Sequence, residues 1–346
     1  MTSSPVRIAI AGLDHWYAAL PFADAVAAHD DAILVAVGDT DVDRAELVAR
    51  RAGVVQVSAH PEELVEDESI DVIASFISVD RNPSVCVAAA RNGKHILSIK
   101  PLARTLAEAT QILNAVREAG VIFLPAESRQ RLADQSRQLK QWISEGRFGR
   151  ILTASYSLWA PLPQQWQGDP DPGWFADPQR APGGGWIDHS IYHIDLLRWL
   201  FEDEVREISG RMGSLKYPDL PVEDYGVAAV AFEKGAIATI EDTWLAPPGG
   251  FRSNMGLVGT EGALAYDSLT GRVSVTGDFP PFTGWVHSTP KATNEHGLEH
   301  LLASIRGEER PIATVEDAWR NLAACRAFYE AATSGTAVTP EAPPAP

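Results

Sequence analysis

With 346 residues, 45% of them apolar and 22% charged, the chain is long enough for two globular domains and a sizeable core. The formal net charge of −17 argues against a nucleic-acid partner, whose binding needs a basic face, and against an anionic membrane surface. No apolar run reaches bilayer length and Met1-Thr2-Ser3-Ser4-Pro5 lacks a signal-peptide pattern, so a cytoplasmic protein is expected.

Residues 6–11 are a short apolar run entering a turn at Gly12, and residues 33–37 form a second run ending in Gly38-Asp39. Helices are expected at 22–29 and 42–52, and further buried strands at 72–77 and 95–98. Runs that are apolar throughout, rather than alternating, suit a parallel sheet covered on both faces. Residues 1–125 therefore read as a doubly wound, dinucleotide-binding α/β domain.

Beyond Pro125 the pattern changes. A helix at 130–145 and a strand at 151–159 lead into a loop over 160–185 rich in Pro, Gly and Trp. A helix over 187–201 follows, then alternating strands at 207–212, 222–232, 236–244, 253–259, 263–267 and 273–275. Helices at 295–306 and 315–333 close the run. Strands in series with helices to one side predict an α+β domain over 126–338, built on a large, mostly antiparallel open sheet. The Pro- and Ala-rich residues 339–346 read as a disordered tail. Cys86 and Cys325 sit in apolar contexts and read as buried thiols.

Four places carry candidate chemistry. Gly12 follows the first strand, where a G-x-G-x-x-G turn would cradle a pyrophosphate, but Asp14 and Tyr17 stand at the other two glycine positions. Pro21 adds to this, because proline fits only the first turn of a helix, and the helix is expected to begin late. Asp39 ends the second strand, where a carboxylate can bind an adenosine ribose and repel a 2′-phosphate, favouring NAD over NADP; an ordinary turn aspartate is the alternative. Lys100 follows the strand at 95–98, on the ligand-binding edge of such a sheet. Gly183-Gly184-Gly185 precedes a half-buried helix on which Asp188, Tyr192, Asp195 and Trp199 share one face, with His189 and His193 on the next stripe.

The strand–Gly12 turn, Asp39, the run from Asn92 to Pro101, the Gly183–Gly185 helix with Asp188 and Asp195, and Gly259-Thr260-Glu261-Gly262 together resemble the Gfo/Idh/MocA oxidoreductases. The resemblance implies a Rossmann domain, a second α/β domain whose sheet often builds homodimers or homotetramers, bound NAD(P), and redox chemistry at a hydroxyl or ketone carbon of sugars, inositols and related polyols. It places Gly12, Asp14, His15, Asp39, Ser78, Asn82, Lys100 and Pro101 at the cofactor. The chain departs from the family's pattern at Ile99, where a Glu precedes Lys-Pro, and at Asn82, where many members have His. In the helix motif Asp-x-Gly-x-His-x-x-Asp, Ser190 replaces Gly and Tyr192 replaces His. Either the substrate is unusual or cofactor binding is weakened, and the alternative is a non-redox lyase, hydratase or isomerase on the same fold, metal-dependent or not, with free NAD turnover lost.

Oxidising a C–OH needs a group to take its proton. Tyr192 can do so beside Lys100, since a cation favours the phenolate. His193 is the competing base, although it points about 100° away around the helix. Asp188 would position substrate or base, or merely cap the helix. His189 and His193 at i and i+4 invite a metal, with Asp188, Glu127 or Glu241 as third ligand, but satisfied histidines are the expectation. Trp159, Trp166, Trp174, Phe175 and Trp186 read either as a stacking surface for a substrate ring or as pins for the long loop.

Overall fold

The computed structural model describes residues 4–54, 56–279, 284–287 and 293–345; the first three residues and Pro346 lie outside it. Six strands make the first sheet: β1 (Val6–Ala11), β2 (Ala32–Gly38), β3 (Gln56–Ser58), β4 (Val72–Ser75), β5 (His95–Ser98) and β6 (Phe123–Pro125). All pairs are parallel, in the order β3-β2-β1-β4-β5-β6. The helices between them are α1 (Trp16–Ala27), α2 (Val42–Ala52), α3 (Asn82–Arg91) and α4 (Leu106–Ala119). Crossovers of this length are what parallel neighbours require. The last two helices and the short strands β3 and β6 are not among the elements expected from the sequence, although α4 buries Ala109, Ile112, Leu113 and Val116 at helical spacing.

Helix α1 corrects one expectation. It begins at Trp16, not after Pro21, and holds Pro21 inside. The carbonyl of Tyr17 thereby loses its helical donor. Burial of Ala18, Ala19, Phe22, Ala23 and Val26 against the sheet outweighs that loss.

The second sheet has eight strands in the order β14-β13-β12-β11-β7-β10-β9-β8. They are β7 (Ile151–Trp159), β8 (Val205–Gly213), β9 (Tyr225–Phe232), β10 (Ile237–Thr243), β11 (Arg252–Gly259), β12 (Ala263–Asp267), β13 (Arg272–Thr276) and β14 (Gly284–His287). Every pair is antiparallel except β7–β10, which is parallel because a loop, a helix and a hairpin intervene. The helix expected at 130–145 is two pieces: a 3-10 turn over Ala126–Leu132 and α5 (Asp134–Ser144). Helix α6 (Ile187–Phe201) lies on the inner face of this sheet, where Trp186 is fully buried and stacked on Phe328 at 3.6 Å.

The chain end ties the halves together. Leu298, Leu301 and Leu302 of α7 (Thr293–Ile305) join the core around α1 and β1. In α8 (Val315–Ser334), Trp319 donates to Thr110 Oγ1 of α4 at 3.0 Å. Val338 bridges Ile208, and within the tail expected to be disordered from Thr339 the Pro344 carbonyl accepts from Arg117 at 3.0 Å. Cys86 and Cys325 are buried free thiols, as expected.

Candidate active site

The carboxyl edge of the parallel sheet, α6 and the loop at 160–185 converge on Lys100. Gly12 turns the chain after β1 at φ +82°, and a Cβ there would meet Ile77 Cα at 2.7 Å, so only glycine fits. Asp39 is buried and accepts from Leu13 N at 2.6 Å and Asp41 N at 2.8 Å. Its carboxylate thus fixes the turn after β1 and the start of α2, while burial pushes its pKa up.

His15 is wholly buried beneath Trp174, with ring centroids 4.7 Å apart. Its Nδ1 lies 3.3 Å from the Phe76 carbonyl, which can only accept, so Nδ1 carries the proton. Nε2 is a buried lone pair without a partner. Burial, then the charge of Lys100, push this pKa down to about 3, so the imidazole stays neutral.

Lys100 is 2% exposed and joined to Pro101 by a cis peptide. Its ammonium donates to the Asp188 backbone carbonyl and to Asp188 Oδ1 at 2.5 Å. It also sits 5.2 Å from the centre of the Tyr192 ring. Burial opposes the charge, but Asp188, with Tyr17 and Tyr192 behind it, outweighs burial and raises the pKa. Asp188 is therefore not a helix cap. Its other oxygen accepts from Trp244 Nε1 at 2.9 Å, and His189 and Lys100 hold its pKa low against burial.

A small cavity of about 20 Å³ lies against this pair, walled by His15, Trp174, Phe175, Pro182, Gly184 and Trp244. Tyr192 is not part of that wall; it meets Lys100 by the face of its ring, with the partly exposed His189 6.3 Å away. The three glycines approach protein. A Cβ would meet Tyr329 Oη at 1.9 Å from Gly183, Glu223 O at 2.2 Å from Gly184 and Asp224 O at 2.8 Å from Gly185. Glu223, which the sequence did not point out, holds this turn by accepting from Gly184 N and Trp186 N.

The loop at 160–185 lies along the edge of the first domain. Trp16 Nε1 donates to Gln164 O at 2.8 Å, Arg44 covers Trp166 at 4.6 Å, and Arg180 donates to Ser78 Oγ at 2.9 Å. Of the aromatic residues singled out, only Trp174 and Phe175 line the cavity. Trp166 pins the loop, Trp186 is core, and Trp159 is exposed under Arg252 on the sheet's far side.

Three expected site residues are not free to act there. Asn82 is buried: its amide donates to Ser98 Oγ and Leu102 O and accepts from Ser75 Oγ. Asp14 accepts from Ser78 N at 2.7 Å, tying two turns together. His193 is stacked flat on Tyr156 at 4.3 Å, and burial, then His189, push its pKa down to about 3. A base needs access to substrate, and this ring has none. Among the described residues no group of three or more His, Cys, Asp or Glu could hold a metal.

The remaining residues fit a dinucleotide. The turn at Gly12 opens onto α1, whose first turn has no side-chain cap, and that positive end is free for an anion. Asp39 closes β2 as a ribose partner would, and His15, whose Nε2 has no partner, lines the cavity beside Lys100.

This fold and site define an NAD(P)-dependent oxidoreductase acting on CH–OH groups. Residues 6–127 match the oxidoreductase family's NAD-binding Rossmann fold, and residues 136–265 match the GFO/IDH/MocA C-terminal domain. The chain belongs to the Gfo/Idh/MocA family. A 1,5-anhydro-D-fructose reductase of Ensifer adhaerens is 30% identical over 88% of this chain and 90% of its own. The scyllo-inositol 2-dehydrogenase (NAD(+)) of Bacillus subtilis is 29% identical over 84% and 83%. In fold, a levoglucosan dehydrogenase in complex with NADH and levoglucosan superposes with TM-score 0.84 at 20% identity, covering 98% of this chain and 100% of that one. Among the described residues no helix is long and apolar enough to cross a membrane.

Proposed function

We propose that the chain interconverts a ring hydroxyl and the corresponding ketone on a sugar- or cyclitol-like polyol, with NAD as cofactor. The observation that carries this reading is the buried Lys100 ammonium, held by Asp188 and facing both the aromatic-walled cavity and the Tyr192 ring. Two ligands must meet at one charge for such a reaction, and a pair lying between the cavity and the Tyr192 ring supports that. Gly12, the start of α1, Asp39 and Pro101 would hold the nucleotide, which supplies a hydride acceptor or donor. Lys100 holds the substrate oxygen, stabilising the alkoxide character that builds as the C–H bond breaks. Tyr192 exchanges the hydroxyl proton. The lone pair at His15 Nε2 accepts from a neighbouring hydroxyl, and Trp174 and Phe175, stacked on each other at 4.0 Å, give the cavity an apolar wall.

Fluorescence titration tests the cofactor. NADH is expected to bind at least about tenfold more tightly than NADPH, since a 2′-phosphate would meet the Asp39 carboxylate. Absence of binding at millimolar nucleotide would sink the redox reading. Tyr192→Phe is expected to lower turnover about 100-fold, the lower end of acid–base contributions, with NADH affinity unchanged. Full activity in that variant would move the proton acceptor elsewhere.

A further inference from the structure

Strand β10 carries two carboxylates in succession, and alternation sends them to opposite faces. Glu241 accepts from Ser157 Oγ at 2.6 Å, while Asp242 points onto α6 and is completely buried. Both Asp242 oxygens lack a hydrogen-bond partner, and so do the buried Nδ1 atoms of His189 and His193. These four orphans face one another. His189 Nδ1 is 3.7 Å from Asp242 Oδ1, and His193 Nδ1 is 3.6 Å from Oδ2. One turn of α6 separates the two rings, so both reach a single carboxyl. A shift of about 0.7–0.8 Å brings each pair to about 2.9 Å, a normal hydrogen bond.

Counting protons shows what such a cluster can do. If Asp242 is ionised, both imidazoles donate Nδ1–H to it and all four atoms are satisfied. If Asp242 is protonated, its O–H donates to one Nδ1 while the other imidazole still donates, and again all four are satisfied. The cluster therefore gains or loses one proton without losing a hydrogen bond. Burial pushes the Asp242 pKa well up, with Asp188 adding to it, and pushes His189 down to about 4; both shifts keep the extra proton on the carboxyl. The other groups around Asp242 are Asp188 on α6, 3.5 Å from His189 Nδ1, Lys100 after β5, Cys325 on α8, Tyr156 on β7 and Glu241 on its own strand. His189 alone of the cluster reaches the surface, with 21% of its side chain exposed on the flank that carries Tyr192.

We propose that Asp242 is the proton store of this site, filled and emptied through His189. This rests on the oxidoreductase reading above. When a hydroxyl carbon is oxidised, Tyr192 takes its proton as the tyrosine's own O–H proton passes on through solvent to the partly exposed His189 Nε2, where a new N–H bond forms. The Nδ1–H bond breaks, its proton bonds to Asp242 Oδ1, and the new O–H donates back to Nδ1. The couple passes from one negative charge to neutral, and ketone reduction runs the same steps backward. Asp242 touches no substrate and is a positioning residue acting through His189.

Infrared titration of the full-length protein, wild type minus Asp242→Asn, reads this directly. A carboxylic-acid C=O band belonging to Asp242 is expected, disappearing toward alkaline pH with a midpoint well above the ordinary carboxylate value of about 4. A midpoint at the ordinary value, or no difference band, overturns the proposal. If Asp242→Asn does not fold, wild type minus His189→Gln is read instead, and a shift of the same band by a pH unit or more is expected; an unmoved spectrum overturns it. With scyllo-inositol as the probe substrate, the pH limb of oxidation should coincide with the band midpoint and be lost in Asp242→Asn. A wild type that fails to bind NADH would defeat the redox reading but leave the infrared result to decide whether Asp242 stores a proton.

Discussion

Replacing Lys100 by methionine is expected to lower turnover by about two to four orders of magnitude, the range in which positioned charges and proton-transfer groups contribute. Methionine keeps much of the side chain's length and apolar stem, so the loss is that of the ammonium. The variant should also be less stable. Asp188 Oδ1 would lose its 2.5 Å partner and keep only Trp244 and the looser His189 on its other oxygen. Breaking a buried pair by removing one partner costs about 3–5 kcal/mol, and the exposed 12% of the Asp188 side chain places this case at the low end. The double variant Lys100→Met/Asp188→Asn separates the two effects. It should recover most of the denaturation midpoint, because no uncompensated carboxylate remains, yet none of the turnover. Turnover returning with stability would show that Lys100 is structural.

Asp195→Ala should be the most destabilising single change in α6, by about 3–5 kcal/mol. The carboxylate has no exposure and accepts four hydrogen bonds: from Arg131 Nε at 2.8 Å and Nη2 at 2.6 Å, from Ser128 Oγ at 2.9 Å and from Asn321 Nδ2 at 2.8 Å. Those donors belong to the turn after β6 and to α8, so the residue clamps the first domain's exit to the second domain's helices. Arg131 would retain Asp317 at 3.1 Å and the Ile312 carbonyl at 2.9 Å, too little for a guanidinium that is 4% exposed. Urea denaturation measures the change. NADH affinity should hardly move, since Asp195 touches nothing at Gly12 or Asp39. A loss of stability under about 1 kcal/mol would mean that the network is redundant.

The distribution of polarity along the chain made some of the site legible and hid the rest. Asp188, Tyr192 and Lys100 stood out because an ionisable stripe on a half-buried helix, and a lysine at the carboxyl end of a buried strand, need partners. Local turn geometry was legible for the same reason at Gly12, where apolar strand meets obligatory glycine. Asn82, Asp14 and His193 were equally conspicuous as residue types, but each is engaged inside the protein, a matter of neighbours distant in sequence. Asp242 had a usable signal: the buried residues Ala238 and Ile240 share its side of β10, and that parity sends it, not Glu241, toward α6.

By itself the sequence determined the parallel first sheet and the helix at 187–201, and it marked Lys100, Asp188 and Tyr192 as candidates, because periodicity and strand-end chemistry are local properties. Only the tertiary structure decided that α1 starts before Pro21, that the three glycines seat against Glu223, Asp224 and Tyr329, and that two histidines meet one buried carboxyl. Those outcomes depend on packing energy and on charges brought within a few ångströms by segments far apart in the chain, and no window of sequence contains both sides of such a contact.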